Sequence, residues 1–237
     1  MLQDLRKLIG SKLEASDGEI GHVKDFYFDD RTWMVRYLVA DTGGWLTGRQ
    51  VLLTPDAFGL RAFGKSTQDP KSLRVTLSRQ RIEDSPSIDE HQPVSRQHEV
   101  EYYQHYGWPM YWNADPMSGA GAMAPVAIAP MLVSEPVDER MASKGDAHLR
   151  SMLEVKGYSL SASDGEIGKV TGLVVDDRTW RILEMAVETG HWYAGKEILV
   201  LPESISHISY EESTVYVELS REQIRATPSD DVVRGYD

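Results

Sequence analysis

A long internal duplication is the strongest constraint on what this chain can fold into. The hexapeptide SDGEIG stands at positions 16–21 and again at 163–168, and the two copies align without gaps over about forty residues at an offset of 147. Asp29-Asp30-Arg31-Thr32-Trp33 falls on Asp176-Asp177-Arg178-Thr179-Trp180, Thr42-Gly43 on Thr189-Gly190, Trp45 on Trp192, Gly48 on Gly195 and Pro55 on Pro202. Ser78–Ile82 returns as Ser220–Ile224 at an offset of 142, so the first copy carries about five extra residues, expected in the loop around Arg61 to Ser72. A repeat of this length means two domains of one fold, not a solenoid of short units.

Each copy reads as β. Short runs of Val, Leu, Ile, Tyr and Phe alternate with turn formers. Asp17-Gly18 and Asp164-Gly165 are hairpin signals, because glycine tolerates the positive φ such turns need. Gly21 and Gly168 are expected where strands approach closely. Asp29-Asp30 and Thr42-Gly43-Gly44 punctuate the next junctions. Val23, Phe26 and Phe28 are expected inward on one strand. In the next, Val35, Tyr37 and Val39 alternate with Arg36, Leu38 and Ala40. Several short strands at close spacing suggest a small barrel or sandwich. The tails SRQRIEDSP and SREQIRATP read as short helical turns with serine at the cap, ended before proline.

The series DGEIG, DDRTW, a Tyr-Leu-Val strand, Thr-Gly-x-Trp, Gly-Arg/Lys and Leu-Leu-Thr-Pro resembles the PRC-barrel family, over residues 5 to 85 and 150 to 228. The resemblance implies a mainly β fold of two homologous small barrels in tandem, related by a pseudo-two-fold axis. It also implies likeness to the cytoplasmic domain of the photosynthetic reaction centre H subunit and to the C-terminal barrel of the ribosome maturation factor. Those relatives bind other proteins, and neither brings a catalytic residue to transfer. The expected domains are 1–85 and 149–228, separated by a linker over 86–148 and followed by a tail over 229–237.

The linker has no counterpart in the repeat. Its docking segment, 98–113, holds Tyr102, Tyr103, Tyr106, Trp108, Tyr111 and Trp112, and its stretch 114–148 is largely Ala, Gly, Pro and Met and reads as flexible. So many large aromatics are rarely left in solvent, and Tyr and Trp suit interfaces. They dock either on the chain's own barrels or on a second copy or foreign protein. GAGAMA fits a loose dinucleotide pattern, but no strand precedes it. His98 and His105 lie about two helical turns apart, too far for a simple chelate. His191 replaces Gly44 of the first copy, so it is not shared.

The net charge of −12 argues against a nucleic-acid binder and against adhesion to anionic lipid. It divides as +1 over residues 1–85, −6 over 86–148 and −7 over 149–237, an asymmetry compatible with the halves facing each other or with one half selecting an outside partner. The chain has no cysteine, which excludes disulfides and thiolate chemistry. The start, MLQDLRKLIGSKL, lacks the apolar core of a secretory signal, and no stretch is long and apolar enough for a membrane helix. A cytoplasmic location follows as an expectation.

Asp17 with Glu19, and Asp164 with Glu166, are the candidates for paired carboxylates. Acid–base work needs carboxyls in different environments, which a solvated hairpin does not suggest, and calcium needs more oxygen ligands. No catalytic residue, cofactor or metal site is therefore expected. The interaction candidates are Trp45, Trp192 and the six aromatics of the linker; Trp33 and Trp180 belong in the core or between the barrels. The favoured function is a non-catalytic scaffold, with a protein partner, pairing of the barrels within the chain, possible homodimerisation, and a role in a stress or assembly process. The alternatives are a small-ligand or metal-binding protein, an unrecognised hydrolase using carboxylates, or a factor associated with photosynthetic reaction centres by analogy of fold. Convergence of Asp17, Glu19, Asp29 and Asp30 on one cleft would favour an enzyme.

Overall fold

The first repeat begins with strand β1 (Leu2–Asp4) and a short helix α1 (Leu5–Leu8), followed by β2 (Lys12–Ala15), β3 (Gly18–Asp29), β4 (Met34–Asp41), β5 (Gln50–Leu53) and β6 (Ser72–Arg74). Helices α2 (Arg79–Glu83) and α3 (Arg96–Tyr106) come next. The second repeat gives β7 (Leu149–Ser151), α4 (Met152–Val155), β8 (Ser159–Ala162), β9 (Gly165–Asp176), β10 (Ile182–Thr189), β11 (Glu197–Val200), β12 (Ile205–Ser209), β13 (Thr214–Val217) and α5 (Arg221–Ala226). This computed structural model describes residues 1–46, 48–58, 72–86, 96–108, 148–190 and 195–226. The proposed site of the five extra residues lies almost wholly outside them, as does nearly all of the stretch 114–148.

The described chain is mainly β and forms two sheets. One runs β5-β4-β3-β2-β6 and the other β11-β10-β9-β8-β13-β12. Among the described residues neither order returns to its first strand, so the expected barrels are corrected to two open sheets. The repeat is nevertheless kept at the level of single residues. Bulges at Ile20, Lys24 and Arg36 recur at Ile167, Thr171 and Leu183, where the pairing skips one residue. A bulge adds a residue to one strand and resets which side faces inward. The bulge at Lys24 lets Val23, Phe26 and Phe28, at uneven spacing, all be buried. The simple alternation expected for β4 fails beyond Tyr37, because Leu38 and Ala40 are buried as completely as Val39. As an interior strand, β4 is covered on both faces.

The strands at the start of each repeat are exchanged. β1 pairs antiparallel with β9 of the second sheet (Leu2 opposite Asp176), and β7 pairs with β3 of the first (Leu149 opposite Asp29). The registers match at the offset of 147. Between them the two β-turns meet: Met34 bridges Arg181, the Val35 amide donates to the Trp180 carbonyl at 2.9 Å, and the Ile182 amide donates to that of Trp33 at 2.8 Å. Trp33 and Trp180 both take left-handed backbone, at φ 55° and 57°. That conformation costs a side-chain-bearing residue roughly 1–2 kcal/mol. It turns the Trp180 ring, 5% exposed, against Phe58 at 5.3 Å and Phe26 at 6.4 Å in the first repeat, while Trp33 stacks on Phe28 at 5.9 Å. Buried side chains of both repeats consequently belong to one apolar cluster.

Candidate functional site

The two SDGEIG turns come first because the repeat singles them out. Asp17 Oδ1 accepts the backbone N–H of Arg79 at 2.7 Å, and Asp164 Oδ1 accepts that of Arg221 at 2.9 Å. Each aspartate thus fastens the N-terminus of its repeat's last helix, where backbone donors have no partner within the helix. Ser78 and Ser220 cap the same helices, as the sequence suggested. Gly18 and Gly165 leave room for the side chains of Arg79 and Arg221 to lie across the turn. At Gly21 a Cβ would stand 2.0 Å from the Asp41 carbonyl oxygen, and at Gly168 2.0 Å from that of Glu188. Only glycine permits this close approach of strands.

Beside the first turn a polar groove of about 490 Å³ is lined by Glu14, Ala15, Ser16, Gly18, Glu19, Arg74 and Val75. Its charges are paired: Arg74 lies 3.7 Å from Glu14, and Lys12 lies 4.0 Å from Glu19. Asp29 and Asp30 stand at the far end of β3 from Asp17 and Glu19, so these four carboxylates do not converge. Among the described residues no three His, Asp or Glu side chains gather in an arrangement suited to a metal.

Asp29 and Asp176 each fold the turn that follows them, through the amides of Arg31 and Thr32 in one copy and Arg178 and Thr179 in the other. Burial works to raise the Asp29 carboxyl. The amides of Thr32 and Arg31 and the charge on Arg36 together outweigh it and hold the group below the usual carboxylate range. Asp176 is likewise held low, chiefly by the Thr179 amide. The next residue in each copy reaches the other repeat. Asp30 holds His148 at 2.9 Å and Arg150 at 2.7 Å, and Asp177 holds the amino terminus of Met1 at 2.5 Å.

The exchanged strands end differently. In the first sheet Asp25 is buried and accepts the Ser151 hydroxyl at 2.5 Å and the Leu153 amide at 3.1 Å. Burial pushes its carboxyl up, against the pull of those bonds. In the second sheet Gly172 occupies the corresponding place. Asp4 caps α1 through the Arg6 amide, and the Arg6 side chain crosses Gly172 to reach Thr171 at 3.0 Å and Glu197 at 2.5 Å. The hydrogen bond from Arg6 holds Glu197 low. The partnerships between repeats were not visible in the sequence, since Arg6 and Glu197 are 191 residues apart and Asp25 and Ser151 are 126 apart.

The aromatic segment forms α3 and packs on the first repeat. Tyr102, Tyr103 and Tyr106 are buried, and Trp108 is half-buried and stacks on Tyr106 at 4.2 Å. Tyr102 donates its hydroxyl to the Pro86 carbonyl, the Arg81 guanidinium donates to the Tyr106 carbonyl at 2.6 Å, and a ring nitrogen of His105 meets the Arg81 carbonyl at 2.9 Å. Arg49 binds the carbonyls of Glu83 and Ser85, which ties the end of α2 to the same corner. Burial pushes the Tyr106 hydroxyl up to about 12. Trp45 sits in a 3-10 turn, Gly43–Leu46. Tyr111, Trp112, His191 and Trp192 lie outside the described residues, as do the side chains of Trp45 and His98.

The family model of the PRC-barrel domain matches residues 4–62. The first repeat therefore contains a PRC-barrel domain, in agreement with the resemblance read from its motifs. No curated protein matches the chain. No described helix is long and apolar enough to cross a membrane.

Proposed function

We infer that the chain is a non-catalytic interaction protein, a scaffold of two PRC-type domains over 1–85 and 149–228, acting on a protein partner in the cytoplasm. One observation carries this: the acids that the copies share at three turn positions are all engaged in architecture. Asp17 and Asp164 fasten helices, Asp29 and Asp176 fold turns, and Asp30 and Asp177 hold the opposite repeat. Duplication has preserved a framework, and the aspartates that looked most like chemistry are its fasteners. The second repeat's matching bulges and exchange register support a second domain of the same family. The net charge of −12 favours a protein partner over nucleic acid. Functional specificity then belongs to surfaces other than these turns, with Trp45 and Trp192 the first candidates.

Affinity capture of the tagged protein from lysate of its source, with co-purifying proteins identified by mass spectrometry, tests this. A protein enriched at moderate salt, and lost from a Trp45→Ala/Trp192→Ala variant that melts like the parent, supports the scaffold. A bait that emerges clean in repeated captures overturns it. So does turnover of a hydrolase substrate that disappears in Asp17→Asn/Asp164→Asn.

A further inference from the structure

We propose that the joint between the repeats is keyed: Asp25 on the first sheet and Gly172 on the second make each sheet accept the strand end of the other repeat and reject that of its own kind. Since β1 and β7 dock in the same register, backbone pairing alone does not tell one strand end from the other. The side chains do. The first sheet presents a buried carboxylate, and the strand end that docks there brings hydrogen donors, the Ser151 hydroxyl and the Leu153 amide. The second sheet presents a bare glycine, and the strand end that docks there brings its own carboxylate and an arginine whose stem fills the space above that glycine.

A like-with-like joint fails on both counts. On the first sheet Asp4 would take the place of Ser151 and set a second carboxylate where Asp25 now meets a hydroxyl. Arg6 would lose the room that Gly172 leaves it; a Cβ there would lie 2.4 Å from the Arg6 side chain. It would find Lys24 and Gln50 where it now finds Thr171 and Glu197. On the second sheet Ser151 and the Leu153 amide would face Gly172 with no acceptor, and Glu197 would lose Arg6. Selectivity of this kind comes as much from the mismatch built against the wrong partner as from the fit to the right one.

The wrong joint can be built inside the full-length chain. Ser151→Asp with Leu153→Arg puts the first repeat's own strand-end chemistry onto its own sheet; Leu153 is exposed enough to accept the change. That variant is expected to melt at least about 5 °C below the parent. Asp25→Gly, which lowers the melting temperature of the parent by removing the acceptor for Ser151 and Leu153, is expected to raise that of the variant. The reversal of sign is the signature, and it survives even if the double variant fails to fold, because the triple variant then recovers a folded chain. Amide exchange across the β7–β3 pairing reports whether the strand has redocked. A double variant that melts with the parent, or an Asp25→Gly effect of one sign in both backgrounds, overturns the proposal.

Discussion

Replacing Tyr102 by alanine tests the most consequential packing in the linker. The ring is fully buried at 0% exposure, between α3 and the first repeat. Truncating a buried aromatic to alanine typically costs about 3–5 kcal/mol, the lost transfer energy plus the cavity left behind. For a chain of this length 1 kcal/mol moves Tm by roughly 2–4 °C, so a single cooperative transition should fall by about 6–20 °C. If α3 detaches by itself, the melting point moves less, and the loss appears instead as amide exchange over residues 101–108 faster by about a hundredfold to several thousandfold. Tyr102→Phe is the control. It keeps the ring and removes only the hydroxyl, with its bond to the Pro86 carbonyl, at about 1 kcal/mol. Differential scanning calorimetry with hydrogen exchange distinguishes these cases. A Tyr102→Ala protein that melts and exchanges like the parent would refute docking of the helix on its own chain.

Three further outcomes follow from the same geometry. Gly168→Ala drives a Cβ into the Glu188 carbonyl and should cost about 3 kcal/mol or more by urea unfolding, whereas Gly43→Ala, with open space around it, should pay only for its backbone angle. Asp17→Ala and Asp164→Ala should each cost about 0.5–2 kcal/mol and speed exchange at the Arg79 and Arg221 amides, with asparagine largely sparing both. Asp25 is raised by burial, so its contribution is complete below the ordinary aspartate range and is lost as pH rises through the elevated value. The Tm difference between Asp25→Asn and the parent should therefore grow in the variant's favour from pH 4 to pH 8. Asp29, Asp176 and Glu197 are lowered and act oppositely, failing as pH falls, but both proteins share them and they cancel in the difference. A difference that stays flat with pH would count against a strained Asp25.

What the sequence made legible is what repeats or acts locally. The offset of 147, the hairpin at each Asp-Gly, the close approach at Gly21 and Gly168 and the serine caps are all short-range or duplicated signals, and the structure has each of them. The exchanged strands were illegible for a physical reason. LQD and LRS are three residues long, too short to show a period of two, and their partners lie more than a hundred residues away. The Asp17 cap hid in the same manner: its acceptor faces an amide 62 residues on. The barrels failed as an expectation because closure depends on strand order, which local alternation does not encode. The alternation read for β4 misled because both of its faces are buried, Leu38 and Ala40 as completely as Val39. Among the aromatics, composition showed that the rings needed cover but not what would cover them.

The exchange also sets a timetable for folding during synthesis. The first sheet includes β7, whose last residue is Ser151, so it lacks that strand until about 65 residues beyond Ser85 have been made. At roughly 5–20 residues per second the ribosome leaves that edge uncovered for about 3–13 s. The amino-terminal strand waits longer, because its partner runs to Asp176. During that interval the nascent first half carries an open strand edge and lacks the Trp180 ring that packs against Phe26 and Phe58. A chain built this way completes its first sheet only once its second half has been made.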